Sequence, residues 1–287
     1  MMDRRSFLQT GLLAGGTIAA GAFSPIWAKT RKASDVIRLG PDKVKLSRLA
    51  IGTGTIGGTI QRALGLQGVA DMLQDGYDRG LFFWDTADSY HTHPHVKEAL
   101  KRVRREKVTL LTKTRARTAA EMRADLDRFR QELGTDYIDI LLLHAVSTPN
   151  WPEQRAGAME YLAEAREKGL VRTHGVSCHS IDALRRSAKT PWVHVQLARI
   201  NPAGVNMDAD AATVVPVLRE MKAAGKGVIG MKIVGEGKLR DRLDESLRFV
   251  LSLDCVDCFT IGPANRAELA DLVKRIPADS EPVRKAA

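Results

Sequence analysis

The sequence is poor in cysteine and in aromatic residues, and it offers no apolar run fit to cross a membrane. Three cysteines in 287 residues cannot build a disulfide framework, so burial has to hold the core together. Aromatic residues make up 5% against 44% hydrophobic residues in all, a balance inside the globular range and unlike a disordered or collagen-like chain. An uncharged stretch over 10–23, rich in Gly and Ala, is too short and too glycine-rich for a spanning helix. Charge is plentiful and unequal, with 44 Lys+Arg against 34 Asp+Glu and a net +10. That excess admits nucleic acid without indicating it; an anionic cofactor or substrate fits as well.

Residues 1–28 do not read as part of a fold. Asp3-Arg4-Arg5-Ser6-Phe7-Leu8 precedes the apolar stretch, and small residues follow near Ala22 and Ala28. This order describes an export signal and resembles the twin-arginine (Tat) type. It implies transport by the Tat machinery to the periplasm, with no stable membrane span once the leader is removed. The remainder, 29–287, is close to the length of one α/β barrel.

Beyond the leader, apolar runs alternate with amphipathic stretches. The pattern predicts a hairpin over 36–46 around Gly40-Pro41-Asp42, then strands at 49–52, 81–84, 108–112, 138–143, 172–177, 193–197, 227–231 and 258–261. Helices are expected at 68–79, 95–103, 119–133, 156–167, from 181, 213–223, 240–251 and 266–274. Eight strand–helix units with no linker between them predict a single-domain (β/α)8 TIM barrel carrying an N-terminal β-hairpin.

Such a barrel does its chemistry at the C-terminal strand ends. Those ends carry Asp85, with Tyr90 five residues on, then Lys113, His144, Ser177 with Cys178 and His179, Gln196 with Arg199 and Asn201, and Lys232. Taken singly, an Asp after a strand is often a turn or cap residue, and a lysine there can simply reach solvent. An aspartate, a lysine and a histidine closing three consecutive buried runs are expected to converge on one pocket. The triplet of histidines at His91, His93 and His95 lacks acidic or cysteine partners nearby, so no metal is expected and a pocket rim is the better reading. Cys255 and Cys258 form one isolated pair entering a strand and read as core residues.

Gly52-Thr53-Gly54, Asp85-Thr86-Ala87-Asp88-Ser89-Tyr90, Leu110-Leu111-Thr112-Lys113-Thr114, and Leu133-Gly134-Thr135-Asp136-Tyr137-Ile138-Asp139 running into His144 together resemble the aldo-keto reductase family. Gly169-Leu170-Val171-Arg172 before Gly175-Val176-Ser177 adds to the resemblance, which covers nearly all of 29–287. It implies a (β/α)8 barrel and hydride transfer between a nicotinamide cofactor, NADP or alternatively NAD, and a carbonyl or alcohol. By the same resemblance, Tyr90 is the general acid/base, Lys113 and Asp85 tune it, and His144 orients the substrate. A phenol titrates near pH 10, so Lys113 is expected to lower it. The implied cofactor set is Gly52, Thr53, Ser177, Cys178, Gln196, Met231, Lys232, Gly262, Asn265 and Arg266.

The chain departs from the family in three places. Cys178 stands where Asn is common, and Met231 where an aromatic ring usually stacks on the nicotinamide. Ala264 and Glu268 stand where a cation is expected near a ribose phosphate, leaving Arg266. Lys232 and Arg199 are candidates for a diphosphate or an anionic substrate. The leading expectation is an exported carbonyl/alcohol oxidoreductase. The other is an exported barrel that binds a carbonyl or sugar ligand without redox turnover.

Overall fold

Short apolar runs bounded by turns become ten strands, and their pairing separates two of them from the other eight. The computed structural model describes residues 31–279, so the leader expected at 1–28 lies outside the described residues. Strands β1 (Val36–Leu39) and β2 (Val44–Ser47) form an antiparallel hairpin in which Val36 faces Ser47 and Leu39 faces Val44. Gly40 turns this hairpin with φ of 60°, and a side chain there would press on the His194 carbonyl.

The other eight, β3 (Leu49–Gly52), β4 (Phe83–Asp85), β5 (Thr109–Thr114), β6 (Ile138–Val146), β7 (Val171–Cys178), β8 (Val195–Arg199), β9 (Gly227–Met231) and β10 (Cys258–Ile261), close into a parallel barrel with β10 paired to β3. Around them run α1 (Thr59–Arg62), α2 (Gly65–Asp78), α3 (His93–Leu100), α4 (Ala119–Leu133), α5 (Trp151–Gln154), α6 (Ala156–Glu167), α7 (Ile181–Ala188), α8 (Ala211–Ala223), α9 (Leu243–Ser252) and α10 (Arg266–Asp279). Among the described residues no helix is long and apolar enough to cross a membrane.

Two apolar cores follow from strand alternation, since successive side chains point to opposite faces. The inner core takes Ala50, Phe83, Leu111, Ile140, Leu142, Val195, Leu197 and Ile229 from the barrel and Leu39, Val44 and Leu46 from the hairpin, which plugs the N-terminal end. The outer core lies between strands and helices, with Trp84, Leu110, Leu141, Leu143, Val176 and Cys178 facing α-helical residues such as Phe129, Leu162 and Leu184. Helix α4 is started by a capping box between Thr118 and Glu121.

The expected eightfold alternation is present, with shifts at its edges. The four-residue helices α1 and α5 are too short to show a period, and neither was expected from the sequence. Helix α3 starts two residues early, at His93, with Pro94 in its first turn, where a missing amide costs nothing. Helix α9 starts at Leu243, not Arg240, because residues 235–237 and 240–242 form 3-10 turns. Strands β5 and β6 run further than expected, so Lys113 and His144 stand inside strands and not after them.

Candidate active site

At the C-terminal end of the barrel, neighbouring strands bring Asp85, Lys113 and His144 together. The inward row of β5 is Leu111 then Lys113, and that of β6 is Ile140, Leu142, then His144. Lys113 is fully buried, and its Nζ donates to Asp85 Oδ1, to the Thr86 carbonyl at 2.7 Å and to the Tyr90 hydroxyl at 3.4 Å. The second Asp85 oxygen accepts from Thr260 Oγ1 at 2.9 Å, so both carboxylate oxygens are used. Burial lowers the Lys113 pKa, yet Asp85 and then Tyr90 outweigh it, and the net direction is upward. The ammonium is therefore retained at neutral pH.

Tyr90 closes the 3-10 turn Asp88–Tyr90 that follows β4. Arg62 of α1 donates to its carbonyl oxygen, and its ring lies against Gly54, where an added Cβ would fall 2.3 Å from the ring. Burial raises the phenol pKa, Lys113 opposes this, and Asp85 adds to it; the net direction is upward. This corrects the expectation that Lys113 lowers the phenol below its ordinary value, because burial outweighs the lysine and Asp85 adds to the burial effect. Tyr90 is thus a protonated donor at neutral pH.

His144 is driven the other way. Burial, followed by the charges of Lys113, His179, Arg115 and Arg155, lowers its pKa to about 2, so the ring is neutral. Ser89 Oγ lies 3.4 Å from its Nδ1. With the hydroxyl donating, the ring proton sits on Nε2, free to donate to a substrate oxygen. The rings of Tyr90 and His144 meet edge to face at 5.7 Å.

A cavity of about 680 Å3 runs from Asp85 and Tyr90 past Met231, Lys232 and Gly262 to Arg240, Arg242 and Arg275. Gly52 lines it with Gly54 and Thr55, but Thr53 does not. Thr53 is buried behind them, its hydroxyl 2.8 Å from that of Thr92, which is in turn 2.8 Å from that of Thr86. Ser177 faces inward, its Oγ accepting from the Ala145 amide at 3.4 Å. Cys178 and Gln196 do not share that cavity. Gln196 Oε1 accepts from Ser187 of α7 at 2.6 Å and from Cys178 Sγ at 3.6 Å, both on the helix side of the barrel. Burial pushes the Cys178 thiol up to about 12. Alternation explains the correction: Val195 and Leu197 face inward, so Gln196 faces out.

The cationic end also differs from expectation. Asn265 caps α10 by accepting from the Glu268 amide at 2.9 Å, and Arg266 is exposed, 3.5 Å from Asp75 and outside the cavity. Glu268 accepts from the Ala264 amide at 2.7 Å, which places a carboxylate where the sequence suggested room for phosphate. Lys232 lines the cavity in a left-handed conformation, φ 59°, with its ammonium on Glu236. Arg199 is paired with Asp208, whose carboxylate is fully buried. His93 is no pocket rim. It is buried between Thr112 Oγ1 at 2.8 Å and Glu132 at 2.7 Å. No group of side chains suited to a metal occurs among the described residues.

The model of the aldo/keto reductase family matches residues 48–274. The chain belongs to that family. The NADH-specific methylglyoxal reductase of Escherichia coli is 28% identical over 174 residues, which cover 52% of this chain and 53% of that protein. The chain spans only about half to three fifths of the length of the curated relatives it matches. Among solved structures, one from Pseudomonas aeruginosa assigned to the aldo-keto reductases has a TM-score of 0.75 at 22% identity, covering 87% of this chain and 98% of that one. A Bombyx mori aldo-keto reductase in complex with NADP has a TM-score of 0.66 at 18% identity over 86% of this chain and 92% of that one. At these identities the structural likeness shows the fold.

The roles of Thr260, Ser89 and Arg62 have no counterpart among the residues that the sequence of this family member singles out. Thr260 could have been found by the rule that found Asp85, as a polar residue near the end of a buried run. Ser89 stands within the string that carries the family resemblance, without a role of its own there, and nothing in the sequence marks Arg62.

Proposed function

We propose that this protein reduces a carbonyl to its alcohol with a nicotinamide cofactor, Tyr90 delivering the proton. The observation that carries this reading is the buried Asp85–Lys113 pair with the Tyr90 hydroxyl 3.4 Å from the ammonium, beside a cavity of about 680 Å3. When bound, the cofactor supplies the hydride. Gly52, Gly54 and Gly262 line that cavity, Met231 offers an apolar face, and Arg240, Arg242 and Arg275 would hold the phosphate-bearing end by exchanging their present partners Glu268, Glu245 and Asp244 for phosphate. The donor set suits NADP, which the silkworm relative binds, and also NAD, since the bacterial relative is NADH-specific.

The carbonyl oxygen is held between the Tyr90 hydroxyl and His144 Nε2–H. As negative charge develops on that oxygen, the phenol donates its proton and Lys113 stabilises the phenolate left behind. Asp85 keeps the ammonium aimed, and Thr260 keeps Asp85 aimed. A neutral His144 orients the oxygen without competing as an acid. The Arg4-Arg5 leader supports export of the barrel to the periplasm by a Tat-type route.

Tyr90→Phe tests the reading. Carbonyl reduction falls by about 10²–10⁴-fold while cofactor affinity, followed by quenching of protein fluorescence, stays close to wild type. Equal turnover by the variant would refute the role given to Tyr90. Failure of the wild-type protein to bind either nicotinamide cofactor would refute the redox reading as a whole.

A further inference from the structure

The cations around the mouth differ in one respect: most already have a carboxylate. Lys113 is paired with Asp85, Arg199 with Asp208, and Lys232 with Glu236. Arg115 is exposed and makes no ion pair among the described residues. It is the first residue after β5, which ends at Thr114, and stands two positions beyond Lys113. Thr112 and Thr114 face the other way, onto His93 and Asp125. Thr114 is paired with Leu143, so Arg115 and His144 are the residues that follow the last paired position of the two strands, and the Arg115 charge acts on the His144 ring. The His179 ring lies 6.3 Å from that of His144 at the end of β7.

Arg115 is also held in place. Arg155, only 8% exposed and without a carboxylate partner among the described residues, donates from Nη1 to the carbonyls of Arg115 at 3.0 Å and Ala116 at 3.1 Å. Arg117, on the same loop, makes no ion pair among the described residues either, and the Glu121 carboxylate is taken up by the amides of Arg117 and Thr118. A buried guanidinium thus fixes the backbone beneath a cation that has no ion pair among the described residues. The charge of Arg115 contributes to keeping both His144 and His179 neutral, and that of Arg155 to keeping His144 so.

We propose that Arg115 recognises an anionic group, carboxylate or phosphate, on the carbonyl substrate, with Arg155 as its positioning residue. The inference rests on the reductase reading and narrows its substrate class to anionic aldehydes and ketones. It also moves the anion site away from Arg199 and Lys232, whose charges are already engaged.

The test uses the full chain and two matched pairs of substrates, para-formylbenzoate against its methyl ester and glyceraldehyde phosphate against glyceraldehyde. Wild-type kcat/KM is expected to favour the anion in at least one pair by about tenfold or more, and the pair showing it identifies the anion. Arg115→Ala brings that ratio close to one, mainly through KM for the anionic member, Arg115→Lys restores part of it, and Arg115→Glu inverts it. A ratio near one for both pairs in the wild type overturns the proposal, as does a preference that survives in Arg115→Ala. If none of the four compounds is reduced, the reductase reading fails separately. Calorimetric titration with para-hydroxymethylbenzoate and inorganic phosphate then decides: binding to the wild type that Arg115→Ala abolishes supports the subsite, and no binding overturns it.

Discussion

Each end of the barrel holds a carboxylate among polar partners, and the two are used differently. At the C-terminal end Asp85 engages Lys113 and Thr260, and the pair faces a cavity beside Tyr90. At the opposite end Asp42, on the hairpin turn, accepts from Thr173 Oγ1 at 2.6 Å, lies 2.6 Å from His194 Nδ1 and takes the guanidinium of Arg166. All three partners come from other elements, so Asp42 ties the plug to β7, α6 and the chain entering β8. His194 in turn lies beside His174, which stacks on Trp192 with ring centroids 4.3 Å apart. Similar chemistry therefore closes one end and equips the other. What separates them is a neighbour able to give up a proton into open space.

The comparison can be broken by substitution at either end. The largest effect is the loss of turnover in Tyr90→Phe, which is expected to leave thermal stability nearly intact. Its counterpart is Asp42→Asn, which weakens the links to Arg166, His194 and Thr173. That change is expected to cost about 1–3 kcal/mol of stability in denaturant unfolding and to leave kcat/KM at 25 °C as in the wild type. A drop in turnover without a drop in stability would show that the two ends are coupled.

Acidity separates the ends further. Burial raises the Asp42 pKa, but the hydrogen bonds from Thr173, His194 and Arg166 outweigh it, and the net direction is downward. The stability it contributes is present above the ordinary carboxylate value near pH 4 and is lost as pH falls through the lower folded value. At the mouth the phenol is raised, so the proton needed for reduction remains bound up to and beyond pH 10. Stability should fall on the acid side in a limb that Asp42→Asn removes. Reduction should hold until strongly alkaline pH, and a rate limb near neutrality would contradict the assignment of the donor. The smallest effect is expected from Cys178→Ser: the thiol faces Gln196 and not the cavity, so cofactor affinity should stay within about twofold of wild type.

The order of strands and helices was legible because eight apolar runs of similar length alternate with helical periods. Asp85, Lys113 and His144 were legible as polar residues interrupting such runs. Tyr90 was not, since its place in a 3-10 turn leaves no periodic signal, and only the family resemblance pointed to it. Gln196 and Cys178 were misplaced for a physical reason. The family resemblance implies that both reach the cofactor, whereas alternation along the strands sends these two side chains to the helix layer. Arg266 was misplaced similarly, because α10 turns it toward Asp75 while Arg275, two and a half turns further on, reaches the cavity edge. Contacts made across the fold, such as Arg62 on the Tyr90 carbonyl or Thr260 on Asp85, have no local pattern to read.

Gly54 leaves a slot one carbon deep, filled by the Tyr90 ring. The proposed proton donor is therefore matched to a hole as well as to a charge. A methyl group added at residue 54 should switch the enzyme off by occupation, with Asp85, Lys113 and His144 all untouched. A smaller acid at position 90, paired with that added methyl, would rebuild the fit in reverse, as a key recut to a narrowed lock.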